Sequence, residues 1–207
     1  IKFANRYGFV QIPKVHWGKV KPQGAYSKMR LWGYFVESTK KVNAPSVEKN
    51  ISKVLWVGRM LGWKRVKDLI KACGDKVTLS IGPQKGRLKT LSRKRKNIDF
   101  NDFVSKDEVR ELMHSHNVYV LPSNSYEGWG AVVSEALEEG MKVVGTIDAG
   151  STATILPPTH LYKAGNVRAL RELLSKPIND IPFQEWSAEN AAKALKAMLI
   201  EITGVVE

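Results

Sequence analysis

The chain has 207 residues, 43% of them hydrophobic, with six tryptophans and a single cysteine, Cys73. This composition supports a globular core and excludes extended disorder, and one thiol excludes an internal disulfide; Cys73 is expected as a small, buried helix residue in a reducing compartment. A net charge of +13 creates a positive field that gathers anions such as nucleotides, acidic headgroups, acidic polymers or nucleic acid.

Residues 1–50 carry glycines, prolines and aromatics with little period, so short strands or loops are expected there. A helix is expected near 26–31 and a linker at 38–52. The chain opens at Ile1 inside what reads as a structured segment, and a fragment of a longer protein is expected. No apolar run approaches the ~18 residues of a membrane span, and the start lacks the charged and apolar regions of a signal peptide.

From Lys53 the pattern becomes regular. KVLWVG (53–58) reads as a buried strand, 59–64 as a loop, and 66–73 as a helix with Val66, Leu69, Ile70 and Cys73 on one face. KVTLSIG (76–82) is the second strand, followed by a loop at 83–86 and a basic helix. IDFNDFV (98–104) contains the third. Residues 106–116 form a helix with Ser105 as N-cap and Asp107 and Glu108 in its first turn.

VYVLP opens the most informative stretch, 118–137, as the fourth strand. A polar loop follows, then Glu127, the glycines 128 and 130 around Trp129, and a helix over 130–139 carrying Glu135 about two turns along. MKVVGT (141–146) is the fifth strand, 147–151 a loop, and 166–174 and 187–202 the last helices. Strands alternating with helices at this spacing predict an α/β domain, a Rossmann-like parallel sheet with helices on both faces. Ligands of such sheets bind beyond the carboxyl ends of the strands, where the loops after strands one, four and five lie.

Arg59 and Lys64, five apart at the first of these edges, suit a diphosphate: a guanidinium binds two oxygens at once and an ammonium acts as a point charge. A solvated loop is the alternative. Glu127 suits either a cap on the following helix or an acceptor for ligand hydroxyls, and Glu135 either a solvent-reaching helix glutamate or a second acceptor. Nothing fixes the two carboxylates at the separation a glycosidase needs. Of the four histidines, His114 and His116 are two apart on a helix and diverge, and no metal motif, cysteine pair, nucleophile elbow or phosphate loop is present. No metal or cofactor is therefore expected. The basic run at 85–96, KGRLKTLSRKRK, reads first as a solvated face and second as a surface for anionic lipid. Nucleic acid ranks last, because the run lacks interleaved aromatics.

Together these stretches resemble the C-terminal, donor-binding domain of a GT-B glycosyltransferase of the retaining family 4. VLWVGRMLGWK resembles that family's VGR…K signature. NDFVSKDEVRELMHSHNVYVLPSNSYEGWGAVVSEAL resembles its strand, helix and Glu-x7-Glu motif, here Glu127 to Glu135. GMKVVGT is similar to its Gly-x-Pro-Val-Val-x-Thr, with Lys142 in place of proline. The resemblance covers 51–203, making 51–207 the nucleotide-sugar-binding domain with its C-terminal helix and 1–50 the tail of an acceptor-binding domain or a linker segment.

The resemblance implies metal-independent transfer of a sugar, with retention, from a nucleotide-sugar donor to an unknown acceptor in surface polysaccharide or glycoconjugate synthesis. The fragment alone would be inactive. Arg59 and Lys64 would stabilise the leaving diphosphate, Glu127 would contact the transferred sugar, and Glu135 the ribose hydroxyls. Gly128 and the amides around Trp129 and Gly130 would support sugar and phosphate, Phe103 and Val104 would flank the base, and Gly58 and Gly82 would keep the strand ends clear. The basic surface suggests a lipid-linked or polyanionic acceptor at a cytoplasmic membrane face, and no nucleic acid is expected. Two rival readings are a nucleotide-sugar 2-epimerase of the same fold and a non-catalytic basic module for membranes or polyanions. Two departures are visible: the family's Gly-Gly-x-x-Glu after strand five is replaced by DAGSTAT (148–154), which has no glutamate, and its later Gly-Leu-Leu-hydrophobic is only faintly echoed by HLYK (160–163).

Overall fold

The computed structural model describes residues 53–74, 78–82, 96–100, 105–179, 181 and 188–203. The expectations for 1–52, for the helix in the basic run, and for Phe103 and Val104 lie outside the described residues.

Six strands form one sheet: β1 (Lys53–Val57), β2 (Thr78–Gly82), β3 (Ile98–Phe100), β4 (Val118–Leu121), β5 (Lys142–Thr146) and β6 (Leu161–Tyr162). Their order is β3-β2-β1-β4-β5-β6, and every pairing is parallel. Side chains alternate across the pleat. Val54 and Trp56 of β1 and Val118 and Val120 of β4 point to one face. Leu55, Tyr119 and Leu121 point to the other. Both faces are apolar because both are covered. The first packs on α1 (Val66–Cys73) and α5 (Val167–Leu174); the second packs on α2 (Lys106–Ser115), α3 (Val132–Glu138) and the region of α4 (Gly150–Ile155). A sixth helix, α6, spans Ala188–Thr203. Cys73 is buried on α1.

Local chemistry explains most boundaries. Ser105 and Glu108 form a reciprocal capping box at the start of α2, and Asn166 caps α5 by accepting from the Ala169 amide at 3.0 Å. Arg65 turns the chain from a short 3-10 turn (Gly62–Lys64) into α1 in a left-handed conformation, φ 50°, braced by its ion pair with Asp68. Where proline was the expected residue, the Lys142 ammonium donates to the Ile178 carbonyl and ties the end of the domain to β5.

Three expectations need correction. The helix expected from Gly130 begins at Val132, because Gly130 sits at φ +85° and cannot continue a right-handed helix. Glu135 therefore lies in the first turn of α3, not two turns along. The stretch expected as a loop at 147–151 becomes helical from Gly150, forming α4. A short edge strand, β6, was not anticipated at all.

Candidate active site

From β1 the chain steps outward through β2 and β3, then crosses back to place β4 on the other side of β1. At that reversal the loops leaving β1 and β4 part in opposite directions and open a crevice at the carboxyl edge of the sheet. A cleft of about 540 Å³ lies there, with Gly58, Arg59 and Lys64 on one wall, Lys106 and Val109 of α2 on a second, and Glu127, Trp129, Gly130 and Glu135 on a third.

The central contact is between the Lys64 ammonium and Glu127 Oε2. The same oxygen accepts from Ser123 Oγ at 3.0 Å. The loops that carry this pair are joined by backbone, the Asn124 amide donating to the Trp63 carbonyl at 2.9 Å. Asn124 also organises its own turn: its side chain accepts from the Tyr126 amide at 3.0 Å and its carbonyl from the Glu127 amide at 2.9 Å. Glu127 thus serves an ion pair, and the alternative that it caps the following helix does not hold. Glu135 is half-buried on the cleft wall.

Gly130 is needed as glycine. Besides its positive φ, an added Cβ would meet Leu121 Cδ2 at 3.0 Å and Ser151 Oγ at 3.4 Å. The Ser151 amide donates to the Trp129 carbonyl at 3.0 Å, fixing this turn from the side of α4. Trp129 is itself buried. Beneath the cleft, burial and then the charges of Glu127 and Glu135 push the Tyr119 phenol well above its ordinary range. It therefore stays protonated and donates to the Val57 carbonyl at 3.4 Å.

Of the residues singled out from sequence, Gly58, Arg59, Lys64, Glu127, Trp129, Gly130 and Glu135 are brought to one cleft. Gly82 ends β2 beside Val57, and Gly128 is exposed with open space about it. Sequence reasoning missed Lys106 and Val109. Their signal was position, since the N-terminus of a capped helix following β3 returns to the same sheet edge. It also missed Ser123, Thr146, Ser151 and Thr152, all wholly buried; hydroxyl residues at strand ends carry no periodic signal. Among the described residues no group of three or more His, Cys, Asp or Glu is placed to hold a metal ion, and no helix is long and apolar enough to cross a membrane.

A family model described as "Glycosyl transferases group 1" matches residues 37–194, while no curated protein matches. The fold is similar to that of the lipopolysaccharide outer core galactosyltransferase WaaB in its apo form, with a TM-score of 0.71 and 17% identity over 84% of this chain and 56% of that one. It is similar to a variant of S. aureus TarM in complex with fondaparinux, alpha-GlcNAc-glycerol and UDP, with a TM-score of 0.63 and 18% identity over 96% of this chain and 42% of that one. The C-terminal domain of a glycosyl transferase group 1 family protein (LpcC) from Francisella tularensis is similar with a TM-score of 0.51 and 14% identity, over 78% of this chain and 89% of that one. At these identities the likeness is one of fold. The chain spans about half the length of the first two.

Proposed function

The chain belongs to the group 1 glycosyl transferase family, and from that premise we propose that its cleft is the donor half of a glycosyltransferase active site. The observation that carries this reading is the meeting of Arg59, Lys64, Glu127 and Glu135 in one crevice at the point where the strand order reverses. A nucleotide sugar presents two kinds of group to such a cleft, a diphosphate and several hydroxyls. Cations bind the first and ionised carboxylates, which only accept, bind the second.

In this reading the Arg59 guanidinium and the Lys64 ammonium hold the diphosphate. As the bond from sugar to phosphate breaks, the charge growing on the departing oxygen falls on these two cations, and no metal is needed to carry it. Glu127 accepts from a hydroxyl of the transferred sugar, Glu135 from the ribose, and the amides beyond Gly130 face the phosphates. The finer expectations complete the proposal: transfer with retention, an acceptor held by a second domain that closes on this one, lipid-linked and at a membrane face, and a role in surface polysaccharide or glycoconjugate synthesis. The UDP named with TarM makes uridine a sensible first probe.

The test is calorimetric titration of the intact protein with UDP, GDP and ADP. At least one should bind, and Arg59→Ala and Lys64→Ala should each weaken it about tenfold or more, the loss of one charge-assisted contact. No binding of any nucleoside diphosphate would refute the proposal.

A further inference from the structure

The segment after β5 lacks the glutamate of the family it resembles, yet it is tied to the cleft through three buried hydroxyls, two of them bonded to backbone carbonyls and the third to Glu127. Thr152 Oγ1, on α4, donates to the Thr146 carbonyl at the end of β5. Thr146 Oγ1 donates to the Ser123 carbonyl at the end of β4. Ser123 Oγ donates to Glu127 Oε2. Thr152, Thr146 and Ser123 are all fully buried. Thr152 Oγ1 also lies 3.3 Å from the Ala149 carbonyl, so these bonds brace α4, β5 and the end of β4 against one another through their backbone and end on the Glu127 carboxylate.

The anchor at its far end is rigid. Gly145 leaves no room above Thr152, since a Cβ there would lie 2.2 Å from Thr152 Cγ2. The neighbouring Ser151 holds the other side of the cleft loop, its amide donating to the Trp129 carbonyl and its hydroxyl to the Gly130 carbonyl at 3.3 Å. Thr146 of β5 and Ser151 of α4 therefore grip the two ends of the segment that carries Glu127 and Gly130, and Thr152 holds Thr146.

We infer that Ser123, Thr146 and Thr152 are positioning residues that aim the Glu127 carboxylate at the transferred sugar. This rests on the donor reading above. With Oε2 engaged by Lys64 and Ser123, the hydroxyl line fixes the plane of the carboxylate and presents Oε1 to a sugar hydroxyl. The relay touches no phosphate-binding cation directly. Its removal should act on the sugar and not on the nucleotide.

The experiment compares affinity for UDP, GDP and ADP with affinity for their glucose and mannose conjugates, in the unaltered protein, Ser123→Ala, Thr152→Val and Thr152→Ser. Ser123→Ala should leave the bare nucleotide within about twofold and reduce the extra affinity of the nucleotide sugar about three- to tenfold, the range for the net loss of one ordinary hydrogen bond. Thr152→Val should shift it the same way, and Thr152→Ser, which restores the hydroxyl, should recover it. In a Glu127→Ala background, where no side-chain oxygen remains for Ser123 to hold, Ser123→Ala should cost nothing further, because its route to the ligand is gone. Equal losses for nucleotide and nucleotide sugar, or an undiminished Ser123→Ala effect in the Glu127→Ala background, would overturn the inference alone. No binding by the unaltered protein would overturn the donor reading and this inference with it.

Discussion

Replacing Glu127 by glutamine keeps the side chain's shape and removes one charge from the central ion pair. The Lys64 and Glu127 side chains are 16% and 11% exposed, so neither ion is free to recover its water. Breaking a fully buried pair by removing one partner costs about 3–5 kcal/mol. Here the amide oxygen still accepts from Lys64 and Ser123, and some solvent remains, so a loss of about 1–2 kcal/mol is expected, or roughly 2–8 °C in Tm. Binding of a nucleoside diphosphate should move the other way. The cleft holds three cations, Arg59, Lys64 and Lys106, against Glu127 and Glu135, and the phosphates must compete with Glu127 for Lys64. With that competitor neutral, UDP or its binding-competent analogue should bind about 3–10-fold more tightly, a gain near 1 kcal/mol. The additional affinity of the nucleotide sugar should shrink. Titration calorimetry and thermal unfolding with and without ligand measure both, and the ligand-induced rise in Tm should exceed that of the unaltered protein. If Glu127→Gln instead weakens the bare nucleotide as much as Lys64→Ala does, the carboxylate is not Lys64's competitor and the reasoning fails.

Four further outcomes follow from the geometry. Gly130→Ala, forced to φ +85° against Leu121, should destabilise by about 1–3 kcal/mol in denaturant titration, while Gly128→Ala, in open space, should stay within about 0.5 kcal/mol. Gly145→Ala drives a methyl into Thr152 and should cost about 1–3 kcal/mol or more, with loss of nucleotide-sugar selectivity because the relay is displaced. Ser105→Ala removes the capping box of α2 and should cost about 1 kcal/mol, read as a lower urea midpoint at unchanged slope. Burial, with Lys53 adding to it, lowers the His116 pKa although the Leu112 carbonyl and Asp99 oppose it. The folded state therefore binds fewer protons than the unfolded one, and stability present above pH ~6.5 should fall as pH drops below that value. The ring is half-buried, so the effect should stay below ~1 kcal/mol, within about 4 °C, and His116→Gln should flatten it in melts from pH 7.5 to 5.5.

The strands that frame the cleft were legible because a strand covered on both faces must be apolar throughout, and KVLWV and VYVL are little else. The capping box made α2 legible, since its spacing is local. Helix α4 was not legible. GSTATI is six residues of mostly small and hydroxyl side chains with no apolar period, and its helix is held by distant partners, the Thr146 and Trp129 carbonyls. The two residues of β6 are too short to carry an alternation. The role of Glu127 was ambiguous for the same reason. From sequence alone a glutamate before a helix is as good a cap as a ligand, and the lysine that decides the matter is 63 residues away.

The charges of the cleft also explain how it is built before any ligand arrives. Clustered cations alone would repel one another and splay the loop after β1, and a lone buried carboxylate would take up a proton or turn outward. Setting Lys64 against Glu127 lets each hold the other in place, while Asn124 locks their two loops together through the Trp63 carbonyl. Such a site is stable when empty, yet it favours only a ligand able to replace both halves of the pair: an anion for Lys64 and a hydroxyl donor for Glu127. Inorganic phosphate satisfies the first alone and a free sugar the second alone, so each must disrupt the pair for half the return. A molecule carrying diphosphate and sugar on one frame satisfies both at once. On the proposed donor reading, selectivity for the joined ligand over its separate parts is expected from the ion pair itself, and neutralising Glu127 should narrow that selectivity from the phosphate side while loss of the Ser123 hydroxyl narrows it from the sugar side.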